Sequence, residues 1–436
     1  MVDLIKKKDK LTLQLKKVSA NIWLAEVIVD ELLVNSLYMQ TIKAFQRETI
    51  LPGFKKESAP LSYLEENFRN SIECNIKNYL FRHFVLDFLM DELRNEKITL
   101  ANYPRLKDAI LEKNKNAIFY FDISVASPLL LKEWKYFIFR PPRRKRYKDL
   151  DKQVSLFLKK ELTLFKRSNI NEISEGDWVY FSCELVDNNN EPIENFNKSN
   201  FWVKINNKYI KKPFQESLVS KKIGDIFVTN KLYWQNEFDP EEEYNHYSYK
   251  ITIKKITKGN NFYLDSFRSA FKLKNKVDIH NKLIEVFSFR NDTSQRKSII
   301  EEVFHLLLSK HRFEIPKHFS VRRQEEIINH LKKRPDYNVY KQNEDFLQQV
   351  TMLAEKQLKE EILIDQLAYK EDLTVSPEDV KNYLYFFNNN RLKEFIYFKP
   401  ISEKIDESDF PLQTGILKQY ALREKALNEI IYELTK

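Results

Sequence analysis

The hexapeptide Leu51-Pro52-Gly53-Phe54-Lys55-Lys56 combines residue types suited to adhesion rather than to making or breaking bonds. Proline presets φ at one central position of a turn, and glycine supplies a positive φ at the next. An aromatic side chain and two lysines follow at the tip, as docking onto an acidic, partly apolar surface requires. The same residues would also serve as an ordinary helix–helix connection. A second stretch, Arg140 to Lys148, carries six basic residues in nine and no acid. It could contact RNA through phosphates, or it could be a solvated linker. Residues able to do covalent chemistry are less suggestively spaced. Glu302-x-x-His305 is half of a di-iron pattern without a second copy. His246, His280, His311, His318 and His330 show no ligand spacing, and neither HExxH nor a G-x-S-x-G elbow occurs. Metal and nucleophilic catalysis are not expected, and no cofactor is assigned.

With 436 residues the chain has room for about three domains. A 31% share of charged residues and 14% of aromatics exclude a disordered polar chain. Only five glycines occur, too few for a phosphate-cradling loop. The net charge of +10 favours polyanionic partners, although a lysine-rich composition would produce it too. Cys74 and Cys183 fit no zinc spacing and no disulfide framework, which points to a reducing cytosol. The opening residues Met1 to Lys8 lack the apolar core of a secretory signal, and no run approaches the ~18 apolar residues of a membrane span. A soluble cytoplasmic protein without membrane contact is expected.

The elements that must position these residues follow from periodicity. Residues 11–29 alternate as two short strands, and Glu31–Arg47 repeats at helical spacing. A long helical stripe runs from Leu61 to about Arg94, with Arg82 and His83 facing the other way or at its edge. Residues 117–125 read as a strand that closes a first domain over 1–126. Residues 127–168 read as a linker, with a helix from Tyr147 to Arg167. A β-rich domain over 169–257 has strands at 177–185, 201–205, 225–228 and 247–253, and one short helix at 213–218. From 258 to 436 the pattern is helical, broken before Pro316, Pro335, Pro377 and Pro400. Ser376-Pro377-Glu378-Asp379 is a helix start with a serine N-cap and proline at N1. The aromatic cluster of Tyr383, Phe386, Phe387, Phe395, Tyr397 and Phe398 divides between core and a surface for apolar polypeptide. The fold class is multi-domain α+β.

This order of parts resembles the trigger factor family of bacterial ribosome-associated chaperones along essentially the whole chain. The family's docking loop, Gly-Phe-Arg-Lys followed shortly by Pro, is matched by Gly53, Phe54, Lys55 and Lys56 with Ala59-Pro60 downstream. Lysine replaces arginine at 55, which keeps charge but loses a planar bidentate donor. Phe313-Glu314-Ile315-Pro316 is similar to the family's element leading into a helical arm. The resemblance implies an N-terminal α/β ribosome-binding domain, an FKBP-like antiparallel sheet with one short helix, and an all-α C-terminal domain with two helical arms. It further implies ribosome docking at the exit tunnel through protein and rRNA, binding of nascent polypeptides, homodimerisation when free, and prolyl isomerase activity in the middle domain. In that domain Lys211-Lys212-Pro213-Phe214-Gln215 stands where the family has an Ile-Pro-Gly-Phe-Glu-like segment, so isomerase activity is expected to be low or absent. Phe181, Phe214 and Tyr249 are the candidate apolar pocket. A general prolyl isomerase with secondary chaperoning, a periplasmic chaperone–isomerase and an RNA-binding factor are the alternative readings.

Overall fold

The computed structural model describes residues 4–48, 52–142, 149–167, 171–187, 189–193, 198–206, 213–232, 238, 247–259, 263–290, 293–388, 392–399 and 412–436. The first sheet is built from β1 (Leu4–Lys8), β2 (Leu11–Lys17), β3 (Ile22–Val29), β4 (Arg105–Ile110) and β5 (Ala117–Ser124), in the order β1-β2-β3-β5-β4. Every neighbouring pair is antiparallel. Period-two alternation sets its inner face: Ala25, Val27 and Val29 stand opposite Phe121, Phe119 and Ala117 in register, and all are buried. The chain leaves β3 into α1 (Glu31–Glu48), turns, and returns through α2 (Leu61–Asn67), α3 (Arg69–Leu80) and α4 (Leu86–Asn95).

The long stripe expected over 61–94 is not one continuous helix. Phe68 leaves helical geometry at φ −121°, and a π-helical turn occupies Phe81–Val85. A π turn takes in an extra residue, rotating the helix beyond it by about 100°. His83 is buried: it follows Ile72, Ile76 and Tyr79 on one helix face, and its ring stacks 4.1 Å from that of Tyr79, four residues before it. Its Nδ1 lies 2.7 Å from the Ser199 hydroxyl on the second sheet, and burial pushes the imidazole down to about 3.

Residues 127–142 and α5 (Leu150–Arg167) lie against the C-terminal helices rather than spanning open space. Trp134 is fully buried and its Nε1 donates to Glu371 at 3.1 Å. The Leu129 amide donates to Gln366 at 2.7 Å, and Val154 of α5 joins the helical core. Of the basic run, 143–148 fall outside the described residues.

The second sheet comprises β6 (Trp178–Val186), β7 (Ser199–Lys204), β8 (Ile226–Thr229) and β9 (Ser248–Thr257), with α6 (Pro213–Leu218) packed on one face. Phe181, Cys183, Leu185, Phe201, Tyr249 and Ile253 point to that face and share a continuous core with the first sheet and its helices. Trp178 and Trp202 point the other way, into the core of the C-terminal helices.

Those helices are α7 (Leu264–Ala270), α8 (Lys276–Phe287), α9 (Gln295–Lys310), α10 (Lys317–Leu331), α11 (Tyr337–Lys341), α12 (Phe346–Lys370), α13 (Pro377–Asn388) and α14 (Thr414–Thr435). A two-residue hairpin of β10 (Phe289–Arg290) and β11 (Thr293–Ser294) separates α8 from α9, and β12 (Leu412–Gln413) adds an edge to β7 just before α14. Ser376 caps α13 as its sequence predicts: its hydroxyl accepts from the Asp379 amide at 3.2 Å, and Asp379 accepts from the Ser376 amide at 2.8 Å. α10 and α12 pair as a projecting hairpin with α11 at its tip. A small core of its own, Ile327, Phe346, Val350 and Ala354, holds the outer part of that arm.

Candidate docking loop and polypeptide-binding surface

The turn between α1 and α2 is shaped by its backbone. Gly53 takes φ +89°, costly for a residue with a side chain, although a β-carbon there would meet nothing within 4 Å. Glu57 is also left-handed, at φ 64°. The Lys55 carbonyl accepts from the Ser58 amide at 3.0 Å and from its hydroxyl at 2.7 Å, closing the tip. The returning strand is tied to α1, because Gln46 Nε2 donates to the Ala59 carbonyl at 2.6 Å. Phe54 is half-buried, its ring 4.9 Å from that of Tyr63 at an interplanar angle of 50°. Lys55 and Lys56 are exposed. Gly53, Phe54, Lys55 and Lys56 therefore share one tip, with the aromatic ring backed by a second ring from α2. Leu51 lies outside the described residues.

The six aromatics expected to divide between core and surface lie inward. Tyr383, Phe386, Phe395 and Phe398 are buried in the helical core, and Phe387 and Tyr397 pack against it. The Tyr383 hydroxyl donates to the Phe398 carbonyl at 3.1 Å, and the Tyr397 hydroxyl to Glu360 at 2.9 Å. Exposed apolar surface occurs instead on the arm. Leu347 and Met352 are 65% and 64% exposed at the outer end of α12, with Leu353 beside them and Val339 and Tyr340 on α11. The sequence carries a signal for this: Phe346-Leu347, Val350 and Met352-Leu353 put apolar residues on more than the single stripe that faces α10.

The candidate pocket of the second sheet is filled. Phe181 and Phe214 meet with ring centroids 5.5 Å apart and are buried. Tyr249 is buried further along the same face, where its ring stacks 5.8 Å from His83. Glu302 and His305 lie on the exposed side of α9. Among the described residues no group of three or more His, Cys, Asp or Glu is placed to hold a metal, and no helix is long and apolar enough to cross a membrane.

Two family models match the chain, for the bacterial trigger factor protein over residues 11–155 and for its C-terminus over residues 278–431, together well over half of the sequence. The chain belongs to the bacterial trigger factor family. Trigger factor of Baumannia cicadellinicola subsp. Homalodisca coagulata is 22% identical, with 88% of this chain and 87% of that protein covered. Trigger factor of Desulfatibacillum aliphaticivorans is 20% identical, with 88% and 89% covered. A solved structure of the trigger factor chaperone aligns with 99% of this chain and 100% of its own at 16% identity and a TM-score of 0.34. The two matched segments carry the Gly53–Lys56 turn and the α10–α12 arm, and they flank strands β6 to β9.

At its base the arm of this trigger factor chain is fixed by buried charge. Arg323 of α10 donates to Glu361 at 2.9 and 3.0 Å and to the Ala101 carbonyl of the first domain at 3.2 Å. Arg423 of α14 reaches Glu361 at 2.8 Å and grips Asp365 with two bonds of 2.9 and 2.8 Å. Burial alone would raise the Glu361 carboxyl, but the two guanidinium groups outweigh it and hold it at about 2. Glu360 and Glu424 lack such partners on this scale, and burial pushes each up to about 7.

Proposed function

We propose that this chaperone docks on the ribosome through Gly53, Phe54, Lys55 and Lys56 and shields nascent polypeptide on the exposed apolar end of its arm. The observation that carries the reading is the loop tip. An aromatic ring is held in place by Tyr63 between two exposed lysines and a left-handed glycine, a rigid anchor with cations at its rim. Partners of this chemistry are an acidic, partly apolar patch near the exit tunnel and adjoining rRNA. Client affinity would come from weak contacts at several points, Leu347, Met352, Leu353 and Val339 among them, so release requires no nucleotide. The aromatics from Tyr383 to Phe398 belong to the helical core, apart from the small core that backs the arm's outer end. The second sheet serves as a spacer, its phenylalanines packed against each other rather than around an open site.

Two measurements test the two halves separately. Phe54→Ala/Lys55→Ala/Lys56→Ala is expected to stay in the supernatant when ribosomes are pelleted, whereas wild type co-sediments. Leu347→Ser/Met352→Ser/Leu353→Ser is expected to pellet normally but to lose suppression of aggregation of an unfolded client. Equal pelleting of wild type and the first variant would overturn the docking assignment. Undiminished suppression by the second would overturn the arm-tip assignment.

A further inference from the structure

Between β5 and α5, residues 129–139 form a loop tied to the ends of α9 and α12. The Leu129 amide donates to Gln366, and Lys370 Nζ donates to the Leu131 carbonyl at 3.4 Å. The Lys132 amide donates to Nε2 of the buried His311 at 3.0 Å. Trp134 is buried with its indole N–H on Glu371, and the Phe137 amide closes a tight turn on the Trp134 carbonyl at 3.0 Å. The Phe137 ring lies 5.8 Å from that of His311, so both halves of the loop meet one imidazole. Despite these tethers, Leu130, Tyr136 and Ile138 are 93%, 84% and 85% exposed, the three most exposed large apolar side chains among the described residues. A loop held this firmly cannot hide them by collapsing onto the helices, and apolar surface displayed together in this way marks a contact site. Cations accompany it. Lys132 and Arg140 belong to the same stretch, and Lys310 and Arg312 stand on either side of His311. All four are exposed, and none is paired with an acid among the described residues. The acids of the loop and its support are engaged: Glu133 accepts from Lys370 at 2.7 Å, and Glu371 holds Lys135 as well as Trp134. Glu314, exposed two residues beyond Arg312, leaves positive charge in excess.

We propose that this loop makes a peripheral contact with an anionic lipid bilayer. Leu130 and Ile138 enter the acyl boundary, Tyr136 lies at headgroup level, and Lys132, Arg140, Lys310 and Arg312 meet the anionic headgroups. Three features select a bilayer over other anionic surfaces. Side chains this exposed project beyond their neighbours, so a protein partner needs a separate pocket for each, whereas a bilayer deforms around them. Leu130 and Ile138 have no π-face to stack on a base, as contact with single-stranded nucleic acid requires. The unpaired cations match an anionic rather than a zwitterionic surface, each raising affinity about fivefold. A surface contact needs no membrane-crossing helix, and none occurs among the described residues. The contact is independent of the Gly53–Lys56 tip and of the arm.

The test uses the full chain and sedimentation with vesicles of phosphatidylcholine, alone or mixed with an equal amount of phosphatidylglycerol. Wild type is expected to bind the mixed vesicles about tenfold tighter or more than phosphatidylcholine alone. Leu130→Ser/Tyr136→Ser/Ile138→Ser is expected to lose about tenfold or more on the mixed vesicles with an unchanged circular dichroism spectrum, because the three side chains touch little of the fold. Lys310→Gln/Arg312→Gln, which leaves the loop itself unaltered, is expected to lose roughly 25-fold. Leu32→Ser, at an exposed apolar residue of α1, is expected to bind like wild type. No preference for the mixed vesicles, or equal binding by wild type and the triple loop variant, would overturn the proposal. The same triple variant is expected to match wild type in ribosome pelleting and in suppressing aggregation of an unfolded client. Loss of either, with vesicle binding unchanged, would give the loop to the ribosome or to clients and overturn the bilayer contact.

Discussion

If Tyr63 presents Phe54 to the ribosome, removing the tyrosine ring should weaken docking without touching any residue of the loop. Their rings pack at 4.9 Å and 50°, within the range of favourable tilted pairs. Such a pair is worth about 0.5–1.5 kcal/mol beyond its buried area. Tyr63→Ala releases Phe54 in the free protein, and ordering it again on docking costs that energy, a roughly 2- to 12-fold loss of affinity. Tyr63→Phe keeps the ring and should dock like wild type. Gly53→Ala offers a second, independent handle. The added methyl meets no atom within 4 Å, so its whole effect comes from φ +89°, about 1–2 kcal/mol of backbone strain. Phe54→Ala, which deletes the anchor, should cost about 2 kcal/mol or more, around 30-fold. Titrating fluorescently labelled protein with ribosomes and following anisotropy resolves all four variants. The expected order of affinity is Tyr63→Phe like wild type, then Tyr63→Ala and Gly53→Ala, then Phe54→Ala. Unchanged or tighter docking by Tyr63→Ala would refute the reasoning, because it would mean that the ring must leave Tyr63 before it can engage the ribosome.

At the base of the arm, Arg423→Met leaves Asp365 without its buried cation and Glu361 with Arg323 alone, and should destabilise α12 and α14 by about 3–5 kcal/mol at pH 7, read as faster amide exchange in both helices. The Glu361 contribution has a defined pH window: its carboxyl is depressed from 4.5 to about 2, so stabilisation on the order of 3 kcal/mol is complete above pH ~4.5 and fades as pH falls toward 2. The exchange difference between wild type and Arg423→Met should shrink over that interval, and a constant difference would contradict it. At the seam between α4 and α14, a β-carbon on Gly415 would come within 2.9 Å of Asp87 Oδ1 and 3.1 Å of Met90 Cβ; Gly415→Val should therefore cost about 1–3 kcal/mol and raise exchange in α4, and unchanged protection there would show that the seam can yield. In a proline-peptide isomerisation assay the full chain should turn over far below an ordinary FKBP-type enzyme, since Phe181 and Phe214 fill the face where a proline would sit; ordinary turnover would show that this face opens.

Local pattern made much of the architecture legible. Alternation in Ala25, Val27 and Val29 and in Phe119, Phe121 and Ile123 marks strands whose one face must be buried, whatever covers it. Ser376-Pro377 and Asp379 declare a helix start through groups that interact within four residues. The Gly53–Ser58 tip is similarly local, shaped by the left-handed Gly53 and by the two bonds from Ser58 to the Lys55 carbonyl. Tertiary placement was less accessible. His83 follows Tyr79 by four residues on the same helix face, but that this face meets Ser199 of the second sheet is tertiary information no spacing records. The aromatics from Tyr383 to Phe398 are equally compatible with core and with a sticky surface until Phe267, Phe271 and Phe304 are seen packed against them. Arg296 carries no motif at all. It is buried where the loop after α7 meets α8 and α14, which no spacing within the chain records.

The distribution of cores along the arm bears on how a chaperone can both hold and release. The arm's base is fixed by Arg323, Glu361, Arg423 and Asp365, buried groups whose disruption is expensive. Its outer part relies on four buried side chains, Ile327, Phe346, Val350 and Ala354, with Leu347, Met352 and Leu353 left outside. A cluster that small supports only modest local stability, so opening of the tip costs far less than loss of the base. Methionine and leucine on such a support can repack against unlike partners at little penalty. The tip can therefore adapt to a passing chain while the base preserves its position relative to the first domain, through the bond from Arg323 to the Ala101 carbonyl. Under the proposed assignments, docking and client capture are coupled by rigid geometry, with the loop fixing where the arm is held and the tip determining how long a segment stays.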